Sequence, residues 1–307
     1  MSKSKYPLDQ ELKCMEGQQL FPCIYVYPLV NLFIGRTTCR SDDKVVVKEY
    51  ETPGYDNYML KTLILEPRDT DGILPCIVFF HGGGIMLKAV EAHYQFAKWY
   101  VEKTRCKAVI TDYRLMPRYR YPYATMDCYR TYEWVIDHAD ELQINKNRII
   151  FTGDSAGATL SAAVSFMARD NNLTMPIGVL MSYPALDRRM NTESMKRYTD
   201  TPVLNSKLAG MYWNEYLRNA TPTRPEYASP LEADSFDKFP STYIEVAEFD
   251  CLHDDGVLFA EKLKSANIPV ELNEVPGACH GFEVVLDSRI VHEALDRRVS
   301  WINRLIL

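Results

Sequence analysis

A serine flanked by two glycines is the residue in this chain most suited to nucleophilic chemistry. Ser155 lies in Gly153-Asp-Ser-Ala-Gly157, a G-x-S-x-G pattern between an apolar run and a stretch with helical spacing. In that context the pattern predicts a sharp strand-to-helix turn that lifts the serine off a sheet. Glycine is required on either side because such a turn strains the middle residue and leaves no room for neighbouring side chains. A helix N-cap serine is the alternative interpretation.

A glycine loop follows an earlier apolar run and offers a partner for that chemistry. His81 is followed by Gly82, Gly83 and Gly84. Three successive glycines expose backbone N–H groups, which can stabilise a developing alkoxide together with the N–H of Ala156. Phosphate binding is disfavoured because the Lys-Ser/Thr pair that completes a P-loop is absent.

A serine nucleophile needs a base, and six histidines are available. His280 follows the last strand candidate, where side chains reach the carboxyl edge of a parallel sheet. We therefore predict His280 as the base. The other histidines are interpreted as surface or loop-bracing residues: His81, His93, His138, His253 and His292.

The base in turn needs an orienting acid between Ser155 and His280 in chain order. Four acids follow the strand candidate at 242–247: Glu248, Asp250, Asp254 and Asp255. Asp250 is the best-placed candidate, whereas Asp254 and Asp255 are expected to cap the helix that follows.

The elements that must position these residues alternate between short apolar runs and helical patterns, which predicts a largely parallel sheet covered by helices. Strand candidates are 45–50, 59–65, 75–80, 108–113, 148–152, 178–183, 242–247 and 269–274. Helix candidates are 90–103, 123–138, 155–169, 206–218, 255–266 and 290–305. Residues 1–44 and about 187–237 break the alternation and are interpreted as additions to the α/β core.

Composition excludes several classes of function. With 35 Lys and Arg against 41 Asp and Glu, the net charge of −6 disfavours a nucleic-acid partner. The eight cysteines form no C-x-x-C pair, so no metal site is predicted. We interpret them as reduced thiols of a cytoplasmic protein, since no secretory signal is recognisable. The apolar run 21–35 is too short to span a bilayer.

Several motifs occur together and in order: His81-Gly-Gly-Gly, Asp112-Tyr-Arg-Leu with Pro117, Gly153-Asp-Ser-Ala-Gly157, Ser229-Pro-Leu, Asp250-Cys-Leu-His-Asp254 and His280-Gly-Phe282. Over residues 59–305 the chain resembles the hormone-sensitive-lipase-like branch of the α/β-hydrolase fold, which includes microbial carboxylesterases and acetyl esterases. The resemblance implies one domain over 1–307, with a mostly parallel eight-stranded sheet, flanking helices and a helical cap formed by 1–44 and 187–217.

The resemblance also implies roles for individual residues. Ser155 would be the nucleophile, His280 the base and Asp250 the orienting acid. The oxyanion hole would be formed by the backbone of Gly82, Gly83 and Ala156. Structural support would come from His81, Gly84 and Asp154. No metal or cofactor is implied.

The implied activity is hydrolysis of short acyl esters, acetyl to hexanoyl, with a small-molecule ester as the partner; homodimers are common in the family. A deacetylase or amidase acting on a sugar or small metabolite, and a non-catalytic small-molecule receptor, are the alternatives. Two departures from the family pattern are expected to affect the substrate pocket: Ile85 after the glycines, and Arg118 with Arg120 after Pro117.

Two further expectations concern individual segments. The apolar run 21–34 is expected to line the acyl pocket as a lid surface, with core packing as the alternative. Six of the cysteines are expected to pack in the core. Cys251 and Cys279 adjoin the proposed acid and base, so oxidation of either thiol would alter activity if it were exposed, whereas burial is the other interpretation.

Overall fold

An eight-stranded sheet forms the centre of the protein in a computed structural model that describes residues 5–34 and 37–307. The strands are β1 (Val45–Pro53), β2 (Met59–Pro67), β3 (Leu74–Phe80), β4 (Lys107–Thr111), β5 (Ile144–Asp154), β6 (Gly178–Ser182), β7 (Ser241–Phe249) and β8 (Val270–Cys279). Their spatial order is β1-β2-β4-β3-β5-β6-β7-β8. Strand β2 is antiparallel to both neighbours and every other pairing is parallel. The predicted mostly parallel sheet is confirmed.

How deeply each strand is buried follows from its position in the sheet. All five residues of β4 and of β6 are buried, because helices cover both faces of the central strands. Strand β1 lies at an edge, where most of its residues are exposed or only partly buried.

The helices are α1 (Tyr27–Ile34), α2 (Glu91–Thr104), α3 (Tyr123–Asp137), α4 (Ala156–Asp170), α5 (Glu193–Arg197), α6 (Ser206–Tyr216), α7 (His253–Ser265) and α8 (Arg289–Ile306). Short 3₁₀ segments occupy Gln10–Met15, Ile24–Val26, Tyr55–Asn57, Pro225–Tyr227, Pro230–Glu232 and Phe282–Val284. The six predicted helices are present, with ends that differ by one or two residues. Helices α1 and α5 were not predicted from the sequence pattern; both are short and lie in the two irregular stretches.

Those two stretches pack against each other. Val203 donates its N–H to the Gln18 carbonyl at 2.7 Å, and Leu20 donates to the Val203 carbonyl at 3.1 Å. The hydroxyls of Tyr27 and Tyr212 lie 3.3 Å apart. Segments far apart in sequence therefore form one covering layer.

Helix α1 faces in the direction opposite to the one its composition suggests. Its Asn31 side chain turns inward, donating to the Met86 carbonyl at 2.7 Å and accepting from the Lys88 N–H at 3.0 Å. Leu29 and Leu32 consequently point to solvent, at 61% and 69% exposure. No residue of 21–34 lines the pocket, so that expectation is wrong. The core-packing alternative holds for Ile24 and Tyr27, which are buried, but not for Leu29 and Leu32. Within the described ranges, none of the helices combines the length and apolarity needed to cross a membrane.

The cysteines only partly follow the packing expectation. All eight are unpaired in the structure. Cys76, Cys106 and Cys128 are buried as expected, but Cys14 and Cys23 are exposed and Cys39 is partly exposed.

A fully buried arginine ties the last helix to the sheet. Arg298 of α8 is 1% exposed and forms ion pairs with Glu245 of β7 and with Glu283, three residues after His280. Glu283 also accepts a hydrogen bond from the Tyr183 hydroxyl at 2.6 Å. Burial raises the pKa of Glu283, and attraction to Arg298 opposes that rise. This cluster anchors the segment after His280 from beneath.

Arg298→Met should lower the free energy of unfolding by about 3–5 kcal/mol, because it removes the buried cation shared by two buried carboxyl groups and leaves Glu245 with the more distant Arg297 at 3.8 Å. Arg304→Met is the matched control on the same helix, since Arg304 pairs with Glu271 where both side chains are about half exposed. The control should cost less than about 1 kcal/mol. Urea titration of both variants measures the difference, and equal losses would contradict a special role for the buried ion pairs.

Candidate active site

Ser155 occupies the strained turn that the sequence predicted. It lies between β5 and α4 with φ +52° and ψ −119°, a left-handed conformation that a serine adopts only under constraint. A Cβ at position 153 would lie 2.3 Å from the Gly157 carbonyl oxygen, and one at 157 would lie 2.0 Å from that of Phe80. Both glycines are therefore required by close backbone contacts. The turn presents the hydroxyl at the N-terminus of α4.

The structure brings Ser155 together with His280 and Asp250. The Oγ atom of Ser155 lies 2.9 Å from Nε2 of His280, and Nδ1 of His280 lies 2.7 Å from Oδ2 of Asp250. Because a carboxylate only accepts, Nδ1 carries the proton and Nε2 is left to accept one from the serine. Asp250 is fully buried and also accepts from the Leu252 N–H at 2.9 Å. This arrangement can deprotonate a hydroxyl as it attacks an electrophile.

The glycine loop adjoins the serine, but Gly82 does not take the predicted role. Its N–H donates to Oδ1 of Asp154 at 2.9 Å and so is not free to bind an oxyanion. The expectation for Gly82 is wrong for this reason. Gly83 and Gly84 line the cavity beside Ser155, together with Ala156 at the start of α4. Gly84, assigned to structural support from the sequence, thus has its backbone at the cavity.

His81 holds the loop from behind. Its Nδ1 lies 2.8 Å from the Gly82 carbonyl oxygen, and the Tyr113 hydroxyl donates to the His81 carbonyl at 2.6 Å. The His81 and Tyr113 rings stack with centroids 4.4 Å apart. Burial lowers the pKa of His81 to about 4. The imidazole is therefore neutral at pH 7 and donates to the carbonyl of Gly82, which fixes the peptide that carries the Gly83 N–H.

Asp154 links the serine turn to the glycine loop. Oδ1 accepts from Gly82, and Oδ2 lies 3.3 Å from Nε2 of His93. Burial opposes its ionisation, but the hydrogen bonds from His93 and Gly82 outweigh burial, so the pKa of Asp154 lies below its usual value. A Cβ at position 82 would lie 2.0 Å from the carboxylate, which is why only glycine fits there. His93, interpreted from the sequence as a surface or loop-bracing residue, is 8% exposed. Nothing in its local sequence identifies Asp154 as its partner.

A cavity of about 230 Å³ opens onto Ser155. Its lining is mostly apolar and includes Leu20, Phe96, Met116, Leu204, Tyr212, Trp213 and Tyr216. Ile85 also lines it, as expected from its position after the glycines. Arg118 and Arg120 are not among the lining residues, contrary to expectation. The Arg120 guanidinium instead donates to Glu215 of α6 at 2.8 Å, which joins the core to the covering layer.

The acids after Asp250 do not cap α7 as the sequence suggested, because that helix begins at His253 and both lie inside its first turn. Asp255 is fully buried and accepts from the N–H groups of Leu186 and Asp187 at 2.9 and 3.1 Å. Asp254 accepts from the Ser194 N–H at 2.8 Å. Both carboxyl groups therefore hold the segments that follow β6.

The sequence also carried expectations for His253, Cys251 and Cys279, which lie near Asp250 and His280. His253, expected at the surface, is partly exposed and lies 2.9 Å from both Asp254 Oδ1 and Glu274 Oε2. Cys251 and Cys279 are fully buried, and burial raises the pKa of both thiols, that of Cys279 to about 12. The exposure that thiol regulation requires is absent at both residues.

Asp254 and Asp255 should affect the pH dependence of stability in opposite directions. Burial raises the pKa of Asp255 well above its usual value, so wild-type stability falls as pH rises above the unfolded value of about 3.9, by up to about 1.4 kcal/mol per pH unit. Asp255→Asn removes this loss while an amide oxygen still accepts both N–H groups. Its stability relative to wild type should therefore increase between pH 4 and pH 7.

The pKa of Asp254 lies below its usual value: burial opposes ionisation, but the hydrogen bonds from His253 and Ser194 outweigh it. Ionised Asp254 therefore stabilises the fold above its unfolded pKa, and that stability is lost as pH falls. Asp254→Asn should therefore be less stable than wild type by an amount that is nearly constant between pH 4 and pH 7 and shrinks as pH falls below 4. Thermal unfolding of the two variants from pH 2.5 to pH 7 tests the pair: a stability difference from wild type that grows below pH 4 for Asp254→Asn, or that stays constant between pH 4 and pH 7 for Asp255→Asn, would contradict it.

A mostly parallel sheet with a serine, an imidazole and a carboxylate hydrogen-bonded at its carboxyl edge is the architecture of an α/β hydrolase. A protein family described as "alpha/beta hydrolase fold" matches residues 77–284. The chain belongs to this family, and the resemblance stated from its motifs is confirmed.

Individual relatives agree with this assignment. An arylesterase of Saccharolobus solfataricus is 31% identical over 243 residues, covering 78% of this chain and 76% of its own. Lipase 2 of Moraxella sp. (strain TA144) is 29% identical over 273 residues, covering 80% of this chain; the match spans 62% of that lipase. The solved structure of a bacterial heroin esterase superimposes with a TM-score of 0.89 at 29% identity over 98% of both chains.

Proposed function

We propose that the protein is a serine hydrolase of carboxylic esters. The hydrogen-bonded order of Ser155, His280 and Asp250 beside a cavity is the observation that carries this proposal. The names of its relatives, which are esterases and a lipase, favour ester bonds. The intact histidine argues against a receptor without catalysis.

The proposed reaction has two halves. Oγ of Ser155 attacks the ester carbonyl carbon while Nε2 of His280 takes its proton. The N–H groups of Gly83, Gly84 and Ala156 stabilise the resulting alkoxide. His280 then passes its proton to the leaving alkoxy oxygen, so an alcohol departs and an acyl-serine remains.

Water completes the cycle. His280 takes a proton from the water as its oxygen attacks the acyl carbon, and returns that proton to Oγ as the carboxylic acid leaves. Asp250 keeps the imidazole in the required tautomer and stabilises the imidazolium that forms in each half.

The lining of the cavity supports a preference among substrates. Apolar and aromatic side chains surround most of it, whereas a sugar would call for several converging polar groups. We therefore favour simple acyl esters, acetyl to hexanoyl, over sugar deacetylation, and the esterase and lipase names of the relatives favour ester over amide cleavage. Residues 1–44 and 187–217 are proposed as the cap, because Leu20, Val203 and Tyr212 lie over the cavity. A homodimer and a cytoplasmic location stay predictions.

Ser155→Ala should reduce kcat/KM for 4-nitrophenyl acetate by at least about 10³-fold, since no nucleophile remains. Labelling by a fluorophosphonate probe should disappear in the same variant. Ser165→Ala is the matched control on α4: that serine is buried, bonds the Ser161 carbonyl at 2.8 Å and does not line the cavity. It should change kcat/KM less than about twofold. Full activity in Ser155→Ala would refute the assignment.

Acyl length should control rate through the size of the apolar cavity. We expect kcat/KM to be highest between acetyl and hexanoyl and to fall at least about tenfold at decanoyl, because a misfit of one or two methylenes costs about 1–3 kcal/mol. A series of soluble 4-nitrophenyl esters measures this. Higher activity on emulsified long-chain ester than on acetyl ester would contradict the proposed range.

A further inference from the structure

His93 is a buried histidine that the proposed reaction leaves without a role. It lies in the first turn of α2, and its Nδ1 accepts the Val90 N–H at 2.9 Å. A nitrogen that accepts carries no proton, so the proton of the neutral ring is on Nε2. Nε2 is 3.3 Å from Oδ2 of Asp154. The ring therefore donates to that carboxylate, and both nitrogens are engaged within the protein.

The carboxylate of Asp154 is held through both oxygens. Oδ2 accepts a hydrogen bond from Nε2–H of His93, while Oδ1 accepts one from the Gly82 N–H at 2.9 Å. Gly82 has no side chain, so this hydrogen bond is a backbone attachment of the glycine loop to the serine turn. If Oδ2 lost its donor, the carboxylate would be free to turn about its side-chain bond, and the Gly82 N–H would lose a fixed acceptor.

The next peptide along the loop carries the Gly83 N–H, one of the donors assigned to the oxyanion. Donors of this kind act only when they are held within a few tenths of an ångström of the position where charge develops. Gly83 and Gly84 lack side chains, so the loop is held through its backbone: His81 bonds the Gly82 carbonyl, and the N–H groups of Met86 and Leu87 bond the Gly83 carbonyl. These contacts hold carbonyl groups, whereas Asp154 holds the Gly82 N–H at the start of the loop.

We propose that His93 is a positioning residue for the oxyanion hole: by donating to Asp154 it fixes the attachment of Gly82 and so the direction of the Gly83 N–H. This inference rests on the proposed function. His93 exchanges no proton with the substrate, because both of its nitrogens bond to the protein.

Two substitutions separate the two hydrogen bonds of the ring. In His93→Asn, the amide oxygen replaces Nδ1 as acceptor for Val90, and the donor to Asp154 is lost. In His93→Gln, the amide nitrogen replaces Nε2 as donor to Asp154, and the acceptor for Val90 is lost. A purely structural role at the start of α2 predicts that Asn is the milder change, whereas positioning of Asp154 predicts that Gln is.

We expect His93→Asn to lower kcat for 4-nitrophenyl acetate at least about tenfold with KM changed less than about threefold. His93→Gln should lose less than about threefold in kcat. Rates are normalised to the sites titrated by a fluorophosphonate, so that misfolded protein does not count. Affinity for a boronic acid, which places an oxygen in the oxyanion hole, should fall in parallel with kcat. His292→Asn and His292→Gln, at an exposed histidine outside the cavity lining, should each change kcat less than about twofold.

The outcomes distinguish this inference from the proposed function. Activity that survives Ser155→Ala defeats the proposed function itself. If Ser155→Ala is inactive, then equal activities of the two His93 variants, a milder effect of Asn than of Gln, or a loss confined to KM overturns the role of His93.

Discussion

The close approach of two backbone segments at the serine turn is the constraint on which the site depends. Gly157, in the first turn of α4, lies so near the carbonyl of Phe80 that a Cβ would approach that oxygen to 2.0 Å. Phe80 ends β3, and the glycine loop begins one residue later. The contact that forces glycine into the turn therefore also brings the glycine loop beside Ser155. The proposed nucleophile and the proposed oxyanion donors are adjacent because strands β3 and β5 are adjacent.

The opposite side of the site depends on longer-range packing. His280 follows β8, and Asp250 follows the neighbouring parallel strand β7. Parallel pairing brings the carboxyl ends of both strands to one edge of the sheet. Beneath them, Arg298 joins Glu245 of β7 to Glu283 in the loop after His280. The ring of Tyr183, held by Glu283, packs edge-on against the imidazole at 4.9 Å between centroids. The proposed base, His280, is thus supported by an ion-pair cluster rather than by apolar packing alone.

Features with a local physical cause could be predicted from the sequence. Apolar runs gave the eight strands, and the order of serine, acid and histidine follows from which strand ends they occupy. The predicted oxyanion role of Gly82 failed because its N–H donates to Asp154, a side chain 72 residues away in the sequence. The prediction that the apolar run 21–34 lines the pocket failed because the hydrogen bonds of Asn31 turn the Asn31 side of α1 inward. The composition of the run does not reveal these hydrogen bonds. The partners of Arg298 and His93 likewise become adjacent only when distant elements pack.

The site contains two pairs of aspartate and histidine with opposite connections. In the pair of Asp250 and His280, the carboxylate accepts from Nδ1–H, and Nε2 faces the hydroxyl of Ser155. In the pair of Asp154 and His93, the carboxylate accepts from Nε2–H, and Nδ1 accepts from the backbone N–H of Val90. In the proposed mechanism the same two chemical groups therefore move a proton in one place and hold a loop in the other. What separates these roles is whether the second ring nitrogen meets a reactive hydroxyl or a backbone N–H, and the fold decides that by the element on which each histidine lies.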